Sequence, residues 1–146
     1  GTCGSTSPDL KLKDTLLVQA AASDSGTFER RFGKGVTFPP VADFYLLRDA
    51  VNAAEALGVE PRVQTTYSAD LFYDDIGPET QKKLLSYGVN SCEMECAELF
   101  TLGAKFRAQT LGILTVSDLL YTEGSCSSQE REQTFTTMMK IALEAI

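Results

Sequence analysis

The chain has 146 residues, 43% of them hydrophobic, which suits one domain with a substantial buried core. Its 13 Lys and Arg against 20 Asp and Glu give a net charge of −7 without a basic cluster, which argues against nucleic-acid or anionic-membrane binding. No segment approaches the ~18 apolar residues of a membrane-spanning helix, and the N-terminus lacks a signal pattern, so we expect a cytoplasmic protein.

The first elements follow from apolar spacing and from turn residues. Small residues in Gly1-Thr2-Cys3-Gly4 predict a turn, and an apolar run at residues 15–20 predicts a strand before a loop at 33–40. Asp43 can cap a helix that Gly58 ends. The apolar face of this helix is spaced helically and consists of Leu47, Ala50, Val51, Ala54 and Leu57.

The middle of the chain repeats a strand-and-helix pattern. Residues 63–67 are rich in β-formers, and residues 78–87 predict a short helix that Gly88 closes. Residues 91–94 predict the end of a strand that leads into another helix. One face of that helix carries Cys96, Leu99, Phe100 and Gly103.

The last elements complete an α/β pattern. Residues 111–116 predict a buried strand, and Ser127-Ser128-Gln129-Glu130 matches a capping box that opens a terminal helix. The residues predicted to be buried by this helix are Phe135, Met138, Met139, Ala142 and Ile146. We therefore predict a single α/β domain over residues 1–146, with a mixed central sheet flanked by helices. Because the first turn has no strand before it, we also expect the fold to lack an N-terminal portion.

The four cysteines, Cys3, Cys92, Cys96 and Cys126, form no Cys-x-x-Cys pair. The chain has no histidine, so a zinc site would need all four thiolates or carboxylates as ligands. We predict reduced, partly buried thiols and no metal site.

Asp118 is the first candidate for chemistry, because it ends an apolar strand in a chain without histidine. Burial raises the pKa of a carboxyl group toward neutrality and makes it a usable acid. Arg131 follows from the first turn of the terminal helix. The alternative interpretation is a capping or loop aspartate that pairs with a nearby arginine.

Four segments in order resemble the bacterial, hexamer-forming purine nucleoside phosphorylases of the nucleoside phosphorylase family. The segments are Gly1-Thr2-Cys3-Gly4, Ser68-Ala69-Asp70-Leu71-Phe72-Tyr73, Glu93-Met94-Glu95, and Thr115-Val116-Ser117-Asp118 with Arg131. The resemblance covers the whole chain, which corresponds to the C-terminal part of such an enzyme. It implies reversible phosphorolysis of purine (deoxy)ribonucleosides to the free base and (deoxy)ribose 1-phosphate.

The resemblance implies roles at the base. Asp118 would be the general acid that protonates N7 of the departing purine, and Arg131 would approach to stabilise the new carboxylate. Ser117 would sit beside the base, although a strand-end hydroxyl bonded to the backbone is an equally good interpretation. Phe72 would stack on the purine ring.

At the sugar, the resemblance assigns Glu95 to the ribose 2′- and 3′-hydroxyls, with Glu93 assisting, Met94 packing on the sugar and Cys92 beside them. An ionised carboxylate can accept both hydroxyl donors at once. The alternative for Glu93 and Glu95 is a pair of side chains on one solvated strand face.

The resemblance implies that Thr2 binds phosphate through its hydroxyl and its backbone N–H. It places Cys3 and Gly4 near the base. Inorganic phosphate would be a co-substrate, with no other cofactor. The family's phosphate-binding arginines lie earlier in its sequence and on a neighbouring subunit, so we expect this chain alone to be inactive. The complete protein would be a homo-oligomer, a hexamer built as a trimer of dimers.

The chain departs from the family pattern at three positions. Ser5 stands where a small apolar residue is usual, Cys96 where Ala or Ser is usual, and Leu119 where many members have histidine. Three alternatives to a purine phosphorylase stay open. They are a methylthioadenosine/adenosylhomocysteine nucleosidase, a uridine phosphorylase of the same fold, and an inactive nucleoside-binding fragment.

Overall fold

A computed structural model shows how the chain folds, and the structure describes residues 1–75, 77–120, 122 and 124–146. The predicted alternation of strands and helices is confirmed. In chain order the elements are β1 (Thr2–Ser5), β2 (Thr15–Ser23), α1 (Thr27–Phe32), α2 (Phe44–Ala56), β3 (Arg62–Ser68), α3 (Gly77–Leu85), β4 (Val89–Glu93), α4 (Cys96–Phe106), β5 (Gly112–Leu119), α5 (Ser128–Thr134) and α6 (Thr136–Glu144).

The strands form a mixed sheet that closes into a barrel in the order β1-β4-β3-β2-β5. β3 runs parallel to β2 and β4, and β5 runs antiparallel to β2 and parallel to β1. β1 closes the ring by pairing antiparallel with β4. The mixed sheet flanked by helices is confirmed, and its closure is a feature that the sequence pattern did not predict.

Strand β2 is buried on both faces, which explains its continuous apolar run. Leu16 and Val18 pack with Phe100 of α4 in one cluster. Leu17 points to the other face, where it packs with Ala50 of α2 and Ile141 of α6. Helices therefore cover the strand from both sides.

Gly1-Thr2-Cys3-Gly4 was expected to be a turn, and this expectation was wrong. Residues Thr2–Ser5 form β1, whose backbone pairs with β4 on one side and β5 on the other. These partners are distant in the sequence, so the local preference of small residues for turns is overridden. A Cβ at Gly4 would lie 2.8 Å from Leu120 Cδ2, so a larger residue at this position would have to displace the Leu120 side chain.

Several element details also differ from expectation. Helix α1 was not predicted, and β2 and β5 continue beyond their predicted ends to Ser23 and Leu119. Leu57 and Leu99 are each 41% exposed rather than buried. At a rotation of ~100° per helical residue, Leu99 lies at one edge of the Cys96, Phe100 and Gly103 face rather than at its centre.

The terminal helix is two helices, α5 and α6, because Phe135 leaves helical geometry at ψ 36°. Phe135 is buried as predicted and Met138 is half-buried. The break turns the later residues, so Ile141 and Ala145 are buried. Met139, Ala142 and Ile146 were predicted to be buried and are exposed.

The local capping predictions are confirmed. Asp43 Oδ1 accepts the Leu46 N–H at 2.9 Å, and Gly58 and Gly88 adopt positive φ after their helices. Among the described residues, no helix is both long enough and apolar enough to cross a membrane.

The capping box at α5 is also confirmed and has an additional partner. Ser127 Oγ accepts the Glu130 N–H at 3.2 Å, and Glu130 Oε2 accepts the Ser127 N–H at 3.0 Å. Lys13 Nζ lies 2.9 Å from Glu130 Oε1. The ammonium group of Lys13, together with Ser127, lowers the pKa of Glu130 from 4.5 to about 2. The start of α5 is thereby tied to the loop before β2.

Replacing Gly112 with alanine should destabilise the fold. A Cβ at Gly112 would lie 2.6 Å from Cys96 Sγ and 3.2 Å from Val18 Cβ, between α4 and β2. We expect Gly112→Ala to lower the free energy of unfolding by about 1–3 kcal/mol, as overpacking does. Gly26→Ala is the matched control, since a Cβ there meets no atom within 4 Å. Urea titration would measure both, and equal stability of the two variants would contradict the packing described.

The Glu130 pKa predicts a pH dependence of stability. Because the pKa is lowered in the folded state, ionised Glu130 stabilises the fold above pH 4.5, and this contribution is lost as the pH falls toward about 2. Lys13→Gln should raise the Glu130 titration midpoint, measured by NMR of its carboxyl carbon, and should flatten this part of the stability curve. Lys34→Gln, which removes an exposed lysine in another loop, is the control. A wild-type midpoint near 4.5 would refute the pairing.

Candidate active site

One cavity of about 620 Å³ opens where β1, β4 and β5 meet the loop after β3 and the start of α5. Every residue that the sequence predicted for the site lies on its wall: Thr2, Cys3, Gly4, Phe72, Cys92, Glu93, Met94, Glu95, Ser117, Asp118 and Arg131. Their individual roles stay predictions. The fold thus brings together segments that are widely separated in the chain.

The cavity also includes residues that the sequence analysis did not select: Ala69, Leu71, Gln81, Leu119, Leu120, Gly124 and Ser125. Ala69 and Leu71 lie inside a predicted segment, and Leu119 and Leu120 directly follow Asp118, so selecting every residue in and next to each motif would have found these four. Gln81 had no such signal, because it reaches the cavity from α3.

Asp118 and Arg131 form an ion pair in the cavity. Arg131 Nη2 lies 2.9 Å from Asp118 Oδ1 and 3.2 Å from Oδ2, and the Ser117 hydroxyl donates to Oδ2 at 2.6 Å. The Asp118 side chain is 33% exposed and the Arg131 side chain is 42% exposed. Hydrogen-bond donors therefore reach both carboxylate oxygens of Asp118.

Backbone hydrogen bonds fix this pair at the end of β5. The chain folds back after Asp118, so that the Cys126 N–H donates to the Ser117 carbonyl at 2.7 Å. Arg131 Nε donates to the Cys126 carbonyl at 3.1 Å, which orients its guanidinium group toward Asp118. The capping box fixes the start of α5, and Arg131 in its first turns therefore lies at the cavity.

Glu93 and Glu95 lie on the same wall but differ in their surroundings. Glu93 is 6% exposed, and its carboxylate accepts hydrogen bonds from the Ser68 hydroxyl and from the N–H groups of Glu95 and Cys96. Glu95 is exposed and lies at the N-terminus of α4. Glu93 is buried and both of its carboxylate oxygens accept hydrogen bonds, so it holds the turn between β4 and α4 in place. Glu95 faces the open cavity.

The cysteines near the cavity are free thiols in the structure. Burial, and then the charge of Glu93, raise the pKa of Cys3 to about 12 and that of Cys92 to about 11. Both side chains are therefore neutral at physiological pH and act as small apolar surfaces.

Exposed apolar side chains stand at the cavity mouth. Phe72 is 77% exposed and its ring meets Tyr73 edge to face at 4.9 Å, while Met94 is 41% exposed. Large exposed apolar groups beside a cavity are typical of a binding surface for a flat or apolar ligand. In the described part of the chain, no group of three or more His, Cys, Asp or Glu is placed to hold a metal ion.

Comparison with known proteins gives consistent matches. A family model described as "Phosphorylase superfamily" matches residues 1–146. The chain is 45% identical over 144 residues to "Purine nucleoside phosphorylase DeoD-type" of Clostridium novyi, a match that covers 99% of this chain and 61% of that protein. It is 44% identical over 146 residues to the protein of the same name from Lactococcus lactis, with 100% and 61% covered.

A solved structure agrees with these relatives. It is the purine nucleoside phosphorylase of Toxoplasma gondii in complex with immucillin-H, with a TM-score of 0.84 and 29% identity over 99% of this chain and 60% of that one. The chain therefore spans about 61% of the length of the curated relatives that it matches. The resemblance predicted from the four segments is confirmed. The chain belongs to the phosphorylase superfamily.

Proposed function

We propose that the complete protein catalyses reversible phosphorolysis of purine (deoxy)ribonucleosides. The observation that carries the proposal is the Ser117-Asp118-Arg131 unit, which faces the same cavity as Phe72 and Glu95. In this proposal, Asp118 is the proton donor, Phe72 the aromatic surface and Glu95 the carboxylate that binds the diol. Family membership and the names of the relatives support the same reaction.

In the proposed reaction, a phosphate oxygen bonds to C1′ of the sugar as the C1′–N9 bond breaks. The electron pair of that bond moves into the purine, and N7 takes a proton from neutral Asp118. Arg131 and the Ser117 hydroxyl then stabilise the carboxylate that remains. The ion pair at 2.9 Å matches the state of the site after proton transfer.

The other groups bind the substrate in this proposal. Glu95 accepts the 2′- and 3′-hydroxyls, Met94 packs on the sugar and Phe72 lies against the purine. Thr2 contributes its hydroxyl and backbone N–H to phosphate. Cys3, Gly4 and Cys92 provide the small, uncharged floor of the cavity.

Phosphate needs positive charge that this part of the protein does not supply. Among the described residues that line the cavity, Arg131 is the one Lys or Arg, and Asp118 already binds it. We therefore propose that the remaining phosphate ligands come from other parts of the complete protein and from a neighbouring copy in a homo-oligomer. The family resemblance supports a hexamer and a cytoplasmic location.

Phosphate dependence should separate the phosphorylase from its nearest alternative. With inosine and inorganic phosphate, the full-length protein should release hypoxanthine and ribose 1-phosphate, and omission of phosphate should abolish release. The 146-residue chain alone should show no turnover. Hypoxanthine release by the full-length protein at an undiminished rate without phosphate would assign it to the nucleosidases.

Replacing Asp118 should affect only substrates whose base needs a proton. We expect Asp118→Asn in the full-length protein to lower kcat for inosine by about 10²–10⁴-fold, the usual contribution of a general acid. 7-Methylinosine loses a base that is already neutralised at N7, so its kcat should change little. Equal losses of kcat for the two nucleosides would show that Asp118 does not act as the acid.

Arg131→Ala should lower kcat for inosine by about tenfold or more while KM changes much less, since the arginine acts after the substrate has bound. Arg48→Ala is the control, because it removes an exposed arginine that pairs with Asp49 on α2. Steady-state kinetics of the full-length variants would measure both. An unchanged kcat in Arg131→Ala would rule out its proposed role.

A further inference from the structure

Ser68 ends β3 behind the cavity wall and is 5% exposed. Its hydroxyl donates to Glu93 Oε1 and accepts the Ala97 N–H at 2.9 Å. Ser68 also pairs with Glu93 in the parallel register of β3 and β4. One small side chain thus links two strand ends to the first turn of α4.

The buried Glu93 carboxylate completes this connection. Glu93 Oε2 accepts the N–H groups of Glu95 and Cys96, each at 2.7 Å. Glu95 itself occupies the capping position but makes no capping hydrogen bond with its side chain. Ser68 and Glu93 therefore satisfy the backbone donors that begin α4, where a negative charge is favoured.

The carboxylates of Glu93 and Glu95 therefore differ in what they can bind. Both oxygens of Glu93 accept hydrogen bonds from within the protein, so they hold the turn. Within the described part of the chain, the structure gives the exposed Glu95 carboxylate no hydrogen-bond partner. The backbone N–H of Glu95 is held, which sets the direction in which its side chain enters the cavity.

We propose that Ser68 is a positioning residue for sugar recognition, acting through Glu93 on Glu95. The inference rests on the proposed function, in which Glu95 accepts the hydroxyls of the ribose. Without the Ser68 hydroxyl, Glu93 loses a donor and a restraint on its orientation, and the N–H groups of Glu95 and Cys96 lose a fixed acceptor. The Glu95 carboxylate then samples more directions.

Amide hydrogen exchange tests the structural link without a substrate. Ser68→Ala should speed exchange at Glu95 and Cys96, which Ser68 does not touch, as well as at its direct partner Ala97. Ser91→Ala is the matched control, because it removes a buried hydroxyl of β4 that donates to Thr66 Oγ1 at 3.0 Å. Faster exchange at Ala97 alone would overturn the proposal. Ser68→Cys keeps the side-chain shape but donates weakly, and serves if the alanine variant does not fold.

A substrate pair tests the functional link in the full-length protein. Ser68→Ala should raise KM for inosine about tenfold, in line with one weakened hydrogen bond to a charged group. KM for 2′,3′-dideoxyinosine, which lacks the diol, should stay within about twofold by the same reasoning. Ser68→Thr, which retains a hydroxyl, should restore much of the loss. Equal losses for both nucleosides would overturn the proposal, since they would indicate a general structural defect.

The exchange measurement is independent of the proposed reaction, whereas the comparison of the two nucleosides requires that reaction. A wild-type protein that cleaves neither nucleoside would contradict the proposed function. The exchange rates at Glu95 and Cys96 would still decide whether Ser68 fixes this turn.

Discussion

The pairing of β1 with both β4 and β5 is the constraint on which the site depends. Register places Gly4 beside Cys92 on one side and beside Asp118 on the other. A Cβ at Gly4 would meet the Leu120 side chain, so a larger residue there would have to displace it. Without this strand, the turn that carries Glu95 and the strand end that carries Asp118 would belong to two separate edges of an open sheet. Closure of the barrel brings them to one cavity.

Three carboxylates around this cavity have three different environments. Glu93 is buried, and both of its carboxylate oxygens accept hydrogen bonds from other groups of the protein. Asp118 is half-buried, and its carboxylate accepts hydrogen bonds from Arg131 and Ser117. Glu95 is exposed to the cavity. Burial, and then the charge of Glu93, raise the pKa values of the Cys3 and Cys92 thiols, so these thiols add no further negative charge to the cavity.

The sequence predicted well what depends on neighbours in the chain. The Asp43 cap, the glycines that end α2 and α3 and the capping box at Ser127 are local arrangements of a few residues, and they are confirmed. The predictions from the sequence were wrong where contacts with residues distant in the chain determine the local structure. Gly1-Thr2-Cys3-Gly4 becomes a strand because β4 and β5 lie beside it, and the break at Phe135 turns Met139 and Ile146 outward. The resemblance selected cavity residues correctly by position, but the saturation of Glu93 by Ser68 required the folded register of β3 and β4.

The central claim is that Asp118 carries a proton when a purine nucleoside is bound and loses it as the base departs. Isotope-edited infrared spectroscopy of the full-length protein, with the aspartate carboxyls labelled, measures this directly. In a complex with a purine nucleoside and no phosphate, we expect the band of a protonated carboxyl that is missing from the Asp118→Asn variant. If Asp118 instead shows only carboxylate bands in that complex, the account of the site as a proton donor is contradicted.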